Sequence, residues 1–368
     1  MLLRYCYAHL LLVILSFSCI HPSVFSLISM PGTYKCAVVK EAGGPLQLEE
    51  REIPTPASDQ VLIKVAACGV CHSDKLTVLG AYPGLTFPRV PGHEVIGTVE
   101  AVGDNVKWPT VGMSVGVGWH NGHCLTCTSC RRGEFMMCVD SPVTGIHYDG
   151  GYAEYMLAPW TGCAALPDGI DPAAAAPLLC AGVTVFNAMR NEKAAGPGDL
   201  VAIQGIGGLG HLGIQFAKKM GFRVAAISTS DNKKELATQL GADYYIDTSV
   251  EPASKQLKAL GGAKMILGTA PSAKSMGDLI NGLGTNGRVV IIGADANTFE
   301  VSPFQLIPNR GGVVGWPSGI AADSEDTCCF AHHHGVESMN EVFSLEQAQE
   351  AYDYMMSGKA RFRVVLKM

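Results

Sequence analysis

The residues best suited to do chemistry in this chain lie between Cys71 and Glu94. Cys71-His72-Ser73-Asp74 is separated by a Gly/Pro-rich bridge from Gly92-His93-Glu94. Thiolate and imidazole are side chains that zinc favours, and a catalytic zinc takes three protein ligands and leaves a fourth position open. Cys71 and His93 supply two of the three. The third is expected at Cys180, in Leu178-Leu179-Cys180-Ala181-Gly182-Val183-Thr184, because that stretch joins the two halves of the chain and would bring a metal up against a cofactor. The competing reading is a free core thiol beside a satisfied core histidine.

A second set is Cys124-x2-Cys127-x2-Cys130-x7-Cys138. Four thiolates at those intervals can wrap a tetrahedral metal, with Gly122 and Gly133 permitting the turns. A closed shell of thiolates leaves no room for substrate, so this zinc is expected to be structural. Cys36 and Cys163 lie in apolar strand-like runs and read as core. Cys68 precedes Cys71 by three, and a redox pair there is the weaker reading. Cys328-Cys329 and His332-His333-His334 are expected to be a solvated surface run, because adjacent residues rarely converge on one ion.

Gly205-Ile206-Gly207-Gly208-Leu209-Gly210 is a third signal. It follows the buried-strand run Leu200–Gln204 and opens a helical stretch to Met220, the context that gives such a fingerprint its meaning. Gly205 allows the tight turn, Gly207 lets a pyrophosphate approach the backbone, and Gly210 lets helix and strand pack closely. The helix N-terminus then offers amide donors to the anion.

Two kinds of element must hold these residues. From Thr33 to about Trp160 the pattern is short alternating strands broken by Gly and Pro, which suggests a small β-rich domain. From Leu200 onward, strand-like runs at Val224–Ile227, Tyr244–Ile246, Met265–Leu267 and Val289–Ile292 alternate with helix-compatible segments. That alternation predicts a parallel sheet with crossover helices. The tail after Val336 holds one helix-like segment, Leu345–Met356, and a last strand, Phe362–Leu366.

The 368 residues allow two domains, and 48% hydrophobic against 16% charged residues fits a globular chain. A net charge of −6 gives no basic field for nucleic acid or anionic lipid. Residues 1–29 read apart from the fold: Arg4 and the apolar run Leu10–Ile20 resemble a secretory signal peptide, too short for a comfortable membrane span. Met30-Pro31-Gly32 also resembles a natural start, which would make the leader an upstream extension. Thirteen cysteines, with four crowded into one short stretch, favour a reducing, cytoplasmic compartment.

Together, the blocks Gly69–Asp74, Gly92–Glu94, the four-Cys lobe, Gly151-Tyr152-Ala153-Glu154, the Cys180 stretch and the glycine fingerprint resemble the zinc-dependent alcohol dehydrogenases of the medium-chain dehydrogenase/reductase superfamily. The resemblance implies an α/β chain: a GroES-like β-rich catalytic domain (30–180), a Rossmann doubly wound parallel-sheet domain (181–317) and a C-terminal return (318–368). It implies two zinc ions, one on Cys71, His93 and Cys180 with Glu94 able to approach it, the other on Cys124, Cys127, Cys130 and Cys138. Asp74 is similar to the acid that orients the ligand histidine. Ser73 matches the hydroxyl that contacts the substrate oxygen, Thr184 is expected to lie under the nicotinamide, and Arg363 to reach the cofactor from the tail; Trp119 is expected to line the pocket because it precedes the four-Cys lobe on the catalytic-domain side. Many members carry a proton-relay histidine five residues after the first Cys ligand; this chain has Leu76 there.

The implied reaction is reversible hydride transfer between a primary alcohol or its aldehyde and NAD(P). Alternatives on the same fold are a zinc-free quinone or enoyl reductase and a non-catalytic cofactor sensor. The cofactor-binding set is Gly205, Gly207, Gly208, Leu209, Gly210, Ser228, Thr229, Lys233, Thr184 and Arg363. Where NAD-preferring domains place an acid after the second strand, this chain has Ser228-Thr229-Ser230, followed by Lys233 and Lys234. Small hydroxyls and lysines suit a 2′-phosphate, and the stretch resembles the loop of NADP-dependent cinnamyl-alcohol-type members, so NADP(H) is favoured over NAD(H). The expected partners are a small alcohol or aldehyde and further copies of the chain in a dimer or tetramer, with no nucleic acid and no membrane for the folded body.

Overall fold

The alternating first third of the chain becomes antiparallel sheet. The computed structural model describes residues 32–368, and the expectations for residues 1–29 lie outside the described residues. β1 (Thr33–Val39) and β2 (Leu46–Glu52) form a hairpin. β3 (Gln60–Val70), β4 (Val95–Val102), β5 (Ser114–Val117), β6 (Tyr155–Pro159) and β7 (Cys163–Ala165) follow. β3 is the organising strand. It pairs antiparallel with β4 and β6, and its register sets Cys68 opposite Val95. The end of β3 therefore lies beside the start of β4, which makes neighbours of Cys71 and His93. Val61, Ile63, Val65 and Val70 of β3 are buried with Val95, Val99, Val115 and Tyr152 in one apolar core.

The second grammar produces the expected parallel sheet. β8 (Leu200–Gln204), β9 (Arg223–Ser228), β10 (Tyr244–Asp247), β11 (Ala263–Gly268), β12 (Leu283–Ile291) and β13 (Gly312–Gly315) stand in the order β10-β9-β8-β11-β12-β13, with every pair parallel. Every residue of β8 is buried, as a central parallel strand covered on both faces requires. The strand order reverses beside β8, and ligands of such sheets bind at that switch point, outside the carboxyl ends of the strands. The glycine turn leaves β8 at this place.

The tail returns to the first sheet. β15 (Arg363–Lys367) pairs antiparallel with the end of β3, and β14 (Asn340–Ser344) adds in parallel at the edge, giving β14-β15-β3-β4-β5-β7 with β6 alongside β3. Ala67, Ile96 and Val365 of this sheet share a core cluster with Val201, Ile203 and Phe216 of the other half, so packing runs through both sheets.

Two elements differ from the expected tail. β14 was not anticipated, and a helix runs over Ala321–His334. In that helix Cys328 is fully buried while Cys329 and His332, His333 and His334 are exposed. The expected solvated run is thus corrected at Cys328, which the helical turn directs inward with Thr327 and Ala331. Cys36 and Cys163 are core residues as expected. Among the described residues no single helix is long and apolar enough to cross a membrane.

Candidate active site

Cys71 leaves β3, and His93 and Glu94 lead into β4. The intervening turn is held by Asp74, whose carboxylate accepts the Cys71 N–H at 2.8 Å and the Tyr152 hydroxyl at 2.8 Å. The other Asp74 oxygen takes His93 Nδ1 at 2.9 Å. Gly92 has φ +99° and its position abuts the Tyr152 ring, so a side chain there would clash and the backbone conformation itself favours glycine. Cys180 stands at the junction between a short 3-10 turn (Ala176–Leu179) and the helix Ala181–Asn191. Its sulfur lies 3.8 Å from that of Cys71.

One ligand atom each from Cys71, His93, Glu94 and Cys180 lies within 4.8 Å of the others. A tetrahedron with metal–sulfur bonds of about 2.3 Å has edges of about 3.8 Å, which the two sulfurs match. His93 Nε2 is buried and without a hydrogen-bond partner, while Nδ1 is taken by Asp74. A buried orphan of this kind is costly unless something fills its place. The donor set fits a zinc ion.

The electrostatics are those of groups crowded out of water. The Cys180 thiol stabilises the Cys71 thiolate and holds Cys71 well below the ordinary thiol range, and the same contact raises Cys180 well above it. Burial opposes protonation of His93, but Asp74 and Cys71 outweigh it and raise its pKa. Burial pushes Glu94 up to about 8 against the pull of Arg363, with which it forms a buried ion pair.

The second set converges as well. Cys124, Cys127, Cys130 and Cys138 offer sulfurs within 4.8 Å of one another, with 4.0 Å separating Cys124 from Cys130 and Cys127 from Cys138. The Thr126 hydroxyl and the amides of Thr126 and Cys127 hold Cys124 down at about 6. Cys68 stays apart from both sets, buried with its thiol on the Gly69 carbonyl.

Beside His93 lies an aromatic wall. The Trp119 ring stands edge-on to His93 at 4.9 Å between centroids, and Tyr82 stands edge-on to Trp119 at 5.9 Å. His147 supports Tyr82 from behind, accepting the Val143 N–H at Nδ1 and donating from Nε2 to the Pro83 carbonyl. Tyr82 escaped the sequence reading because it lies in the Gly/Pro bridge, where no periodicity marks it.

At the glycine turn, a Cβ on Gly210 would lie 1.8 Å from the Gly205 carbonyl oxygen, whereas one on Gly207 would meet nothing within 4 Å. The turn is therefore closed on itself at Gly210 and open at Gly207, where a phosphate could approach. Leu209 precedes the helix Gly210–Lys219 and packs on the core. Arg363 lies against Gly208. Ser228 ends β9, with Thr229 exposed after it. Three expected cofactor contacts have other partners here, Arg363 in its ion pair with Glu94 among them. Lys233 Nζ donates to the Ile206 carbonyl at 2.7 Å, and the Thr184 hydroxyl donates to the Cys180 carbonyl at 2.7 Å. Ser73 is half-buried, and its N–H donates to the Cys71 sulfur at 3.5 Å.

Comparison with known proteins gives the family. Residues 57–168 match the alcohol dehydrogenase GroES-like domain, and residues 208–326 match the zinc-binding dehydrogenase domain. The chain is also 47% identical to the alcohol dehydrogenase patD of Penicillium expansum, over 92% of this chain and 98% of that one. The chain belongs to the zinc-binding alcohol dehydrogenases. Among solved structures, this alcohol dehydrogenase resembles a cinnamyl alcohol dehydrogenase of Sorghum bicolor, with a TM-score of 0.82 and 30% identity over 91% of this chain and 98% of that one. It also resembles the cinnamyl alcohol dehydrogenase of Helicobacter pylori complexed with NADP(H), with a TM-score of 0.80 and 25% identity over 91% and 98%. The fold of an alcohol dehydrogenase accounts for both sheets: a GroES-like half and a Rossmann-like half.

Proposed function

We propose that this alcohol dehydrogenase oxidises small primary alcohols, and reduces their aldehydes, at a zinc held by Cys71, His93 and Cys180. The observation that carries the reading is His93 Nε2, buried and unpartnered beside the two sulfurs. When bound, the zinc supplies a Lewis acid that favours loss of the alcohol proton, and the nicotinamide supplies a hydride acceptor.

The chain's own residues do the rest. Asp74 fixes the His93 ring by its bond to Nδ1, leaving Nε2 to the metal. The Ser73 hydroxyl takes the alcohol proton and passes it to water or a ribose hydroxyl, since Leu76 offers no relay. Trp119 and Tyr82 wall the substrate with flat, apolar faces, which favours aromatic or unsaturated alcohols. Glu94 is the carboxylate in reach of the metal, and Arg363 neutralises it. A second, structural zinc belongs on Cys124, Cys127, Cys130 and Cys138, giving two per chain. A zinc-free reductase would leave both donor sets without a role.

The dinucleotide goes to Gly205, Gly207, Gly208, Leu209 and Gly210, with Thr184 and Arg363 at its nicotinamide side. NADP(H) is preferred, because Ser228 and Thr229 stand where a carboxylate would repel the 2′-phosphate; Lys233 joins them by leaving the Ile206 carbonyl. The neighbour complexed with NADP(H) supports this. The domain limits follow the same reading: catalytic 30–180, dinucleotide-binding 181–317 and return 318–368. The thiol clusters suit a reducing cytoplasm. A homo-oligomer is supported by β13, an open sheet edge, and by Phe304 and Ile307 in the segment leading to it, 86% and 70% exposed.

The test is kcat/KM over a panel of alcohols and aldehydes with NADP and with NAD, repeated after Ser228→Asp. Turnover of primary alcohols, with the mutant shifted towards NAD, is expected. No turnover of any alcohol would end the reading, and a wild type that prefers NAD would end its cofactor part.

A further inference from the structure

His211 lies on the first turn of the helix that follows the glycine fingerprint, and it is fully buried. Burial in an apolar place ordinarily excludes histidine, so its polar atoms must be satisfied. Both are. Nδ1 lies 3.0 Å from the Gly207 carbonyl, and Nε2 lies 3.2 Å from the Met339 N–H. A carbonyl can only accept and an amide N–H can only donate. Those two partners therefore fix one tautomer, with the proton on Nδ1 and the lone pair on Nε2.

The imidazole also stacks on the Phe362 ring, with centroids 5.0 Å apart and planes 28° apart. The Met339 carbonyl accepts the N–H groups of Phe362 and Arg363, at 2.9 and 3.0 Å. His211 is thus bolted to the tail segment that carries Arg363. Around it, three successive residues of the turn are each touched by a side chain. Lys233, over the other side chain of this cluster, Phe362, donates to the Ile206 carbonyl. His211 takes the Gly207 carbonyl, and Arg363 lies against Gly208.

We propose that His211 is a positioning residue for the dinucleotide: its imidazole adds a second bond to the Gly207 carbonyl and ties the open phosphate-facing side of the turn to the Met339–Arg363 tail. The proposal rests on residues 205–210 being the dinucleotide site. The Gly207 carbonyl also accepts the His211 N–H at 3.0 Å, so backbone and imidazole hold it together and the turn presents no carbonyl dipole at that point to an incoming phosphate. Without the imidazole the helix bond alone remains, and the turn loses its tie to the tail.

The two bonds can be separated by substitution. In His211→Asn the amide reaches about as far as Nδ1 and can still donate to Gly207. In His211→Gln the amide reaches about as far as Nε2, serving Met339 and releasing Gly207. His211→Phe keeps the stacking and loses both bonds. Kd for NADPH and for NADH is read by fluorescence titration of the zinc-loaded wild type and the three variants, with kcat and cofactor KM alongside and Tm for each. The expected result is a Kd and cofactor KM raised about tenfold in the Gln and Phe variants, a near wild-type Kd in the Asn variant, and kcat at saturating cofactor retained within about twofold. Equal Kd values in wild type and the Gln variant, or variants that lose only Tm, would overturn the proposal. Should the Gln variant fail to fold, an unchanged Kd in the Phe variant, or a tenfold loss in the Asn variant, overturns it equally. A wild type that binds neither cofactor would instead refute the dinucleotide reading itself.

Discussion

Arg363, on the last strand of the chain, forms a buried ion pair with Glu94, next to the candidate ligand His93. The two lie 269 residues apart in sequence, and the pairing of β15 with β3 and of β3 with β4 brings them together. A Cβ on Gly208 would lie 3.0 Å from the Arg363 guanidinium, so one guanidinium stands between the candidate metal site and the glycine turn. A buried pair adds little net stability over an apolar replacement, but breaking it strands a charge.

Glu94→Gln, which leaves the guanidinium unpaired, should therefore destabilise the fold by about 3–5 kcal/mol, measured by urea unfolding. Arg363→Met should cost less, because Glu94, already pushed up to about 8, takes a proton when its partner is removed. The double variant should recover much of both losses, since no unpaired charge is left. A double variant as unstable as the sum of the singles would show that the pair is not the unit.

Tyr82→Ala should change substrate choice more than stability. The ring is half-buried and packs edge-on to Trp119. Losing one aromatic face is worth about 1 kcal/mol. We expect kcat/KM to fall about fivefold to tenfold for benzylic and cinnamyl-type alcohols, with little change for ethanol. Parallel losses for both classes would place Tyr82 outside the pocket.

His211 predicts a pH dependence of stability. Burial lowers its pKa to about 4 from the ordinary 6.5. Between those values the unfolded chain binds the proton and the folded chain does not, so stability rises with pH. The contribution is intact above about pH 6.5 and lost as pH falls towards 4, amounting to about 3 kcal/mol. Urea unfolding of wild type against His211→Asn over that window should show a steeper slope for wild type. Identical slopes would mean that His211 charges freely in the fold.

Much of this was legible in sequence, for physical reasons that also mark the failures. Cysteine spacing is local chemistry, so the set at Cys124–Cys138 could be read directly, whereas Cys180, 109 residues from Cys71, was reached only by its place between the two halves of the chain. Leu200–Gln204 reads as a buried strand because both its faces are covered. β14 could not be read: Asn-Glu-Val-Phe-Ser is a half-exposed edge strand, and nothing in it alternates cleanly. The Ala321–His334 helix has no continuous apolar stripe, since only Ser324, Thr327, Cys328 and Ala331 turn inward. The engagement of His211 with Met339 and of Arg363 with Glu94 is tertiary, made by a tail that returns from far along the chain, and that of Lys233 with Ile206 joins the loops after two neighbouring strands.

Alcohol oxidation at a zinc held by Cys71, His93 and Cys180, apart from a second zinc on four cysteines, is tested by metal content and turnover on the same samples. Wild type and His93→Ala would each be measured for zinc per chain, rate of NADPH formation from a primary alcohol, and Tm. Two zinc ions and turnover are expected for wild type, and one zinc, a near-native Tm and a rate lowered at least a thousandfold for the variant. A wild type turning over with one zinc or none, or a variant keeping two zinc ions and its rate, would contradict it.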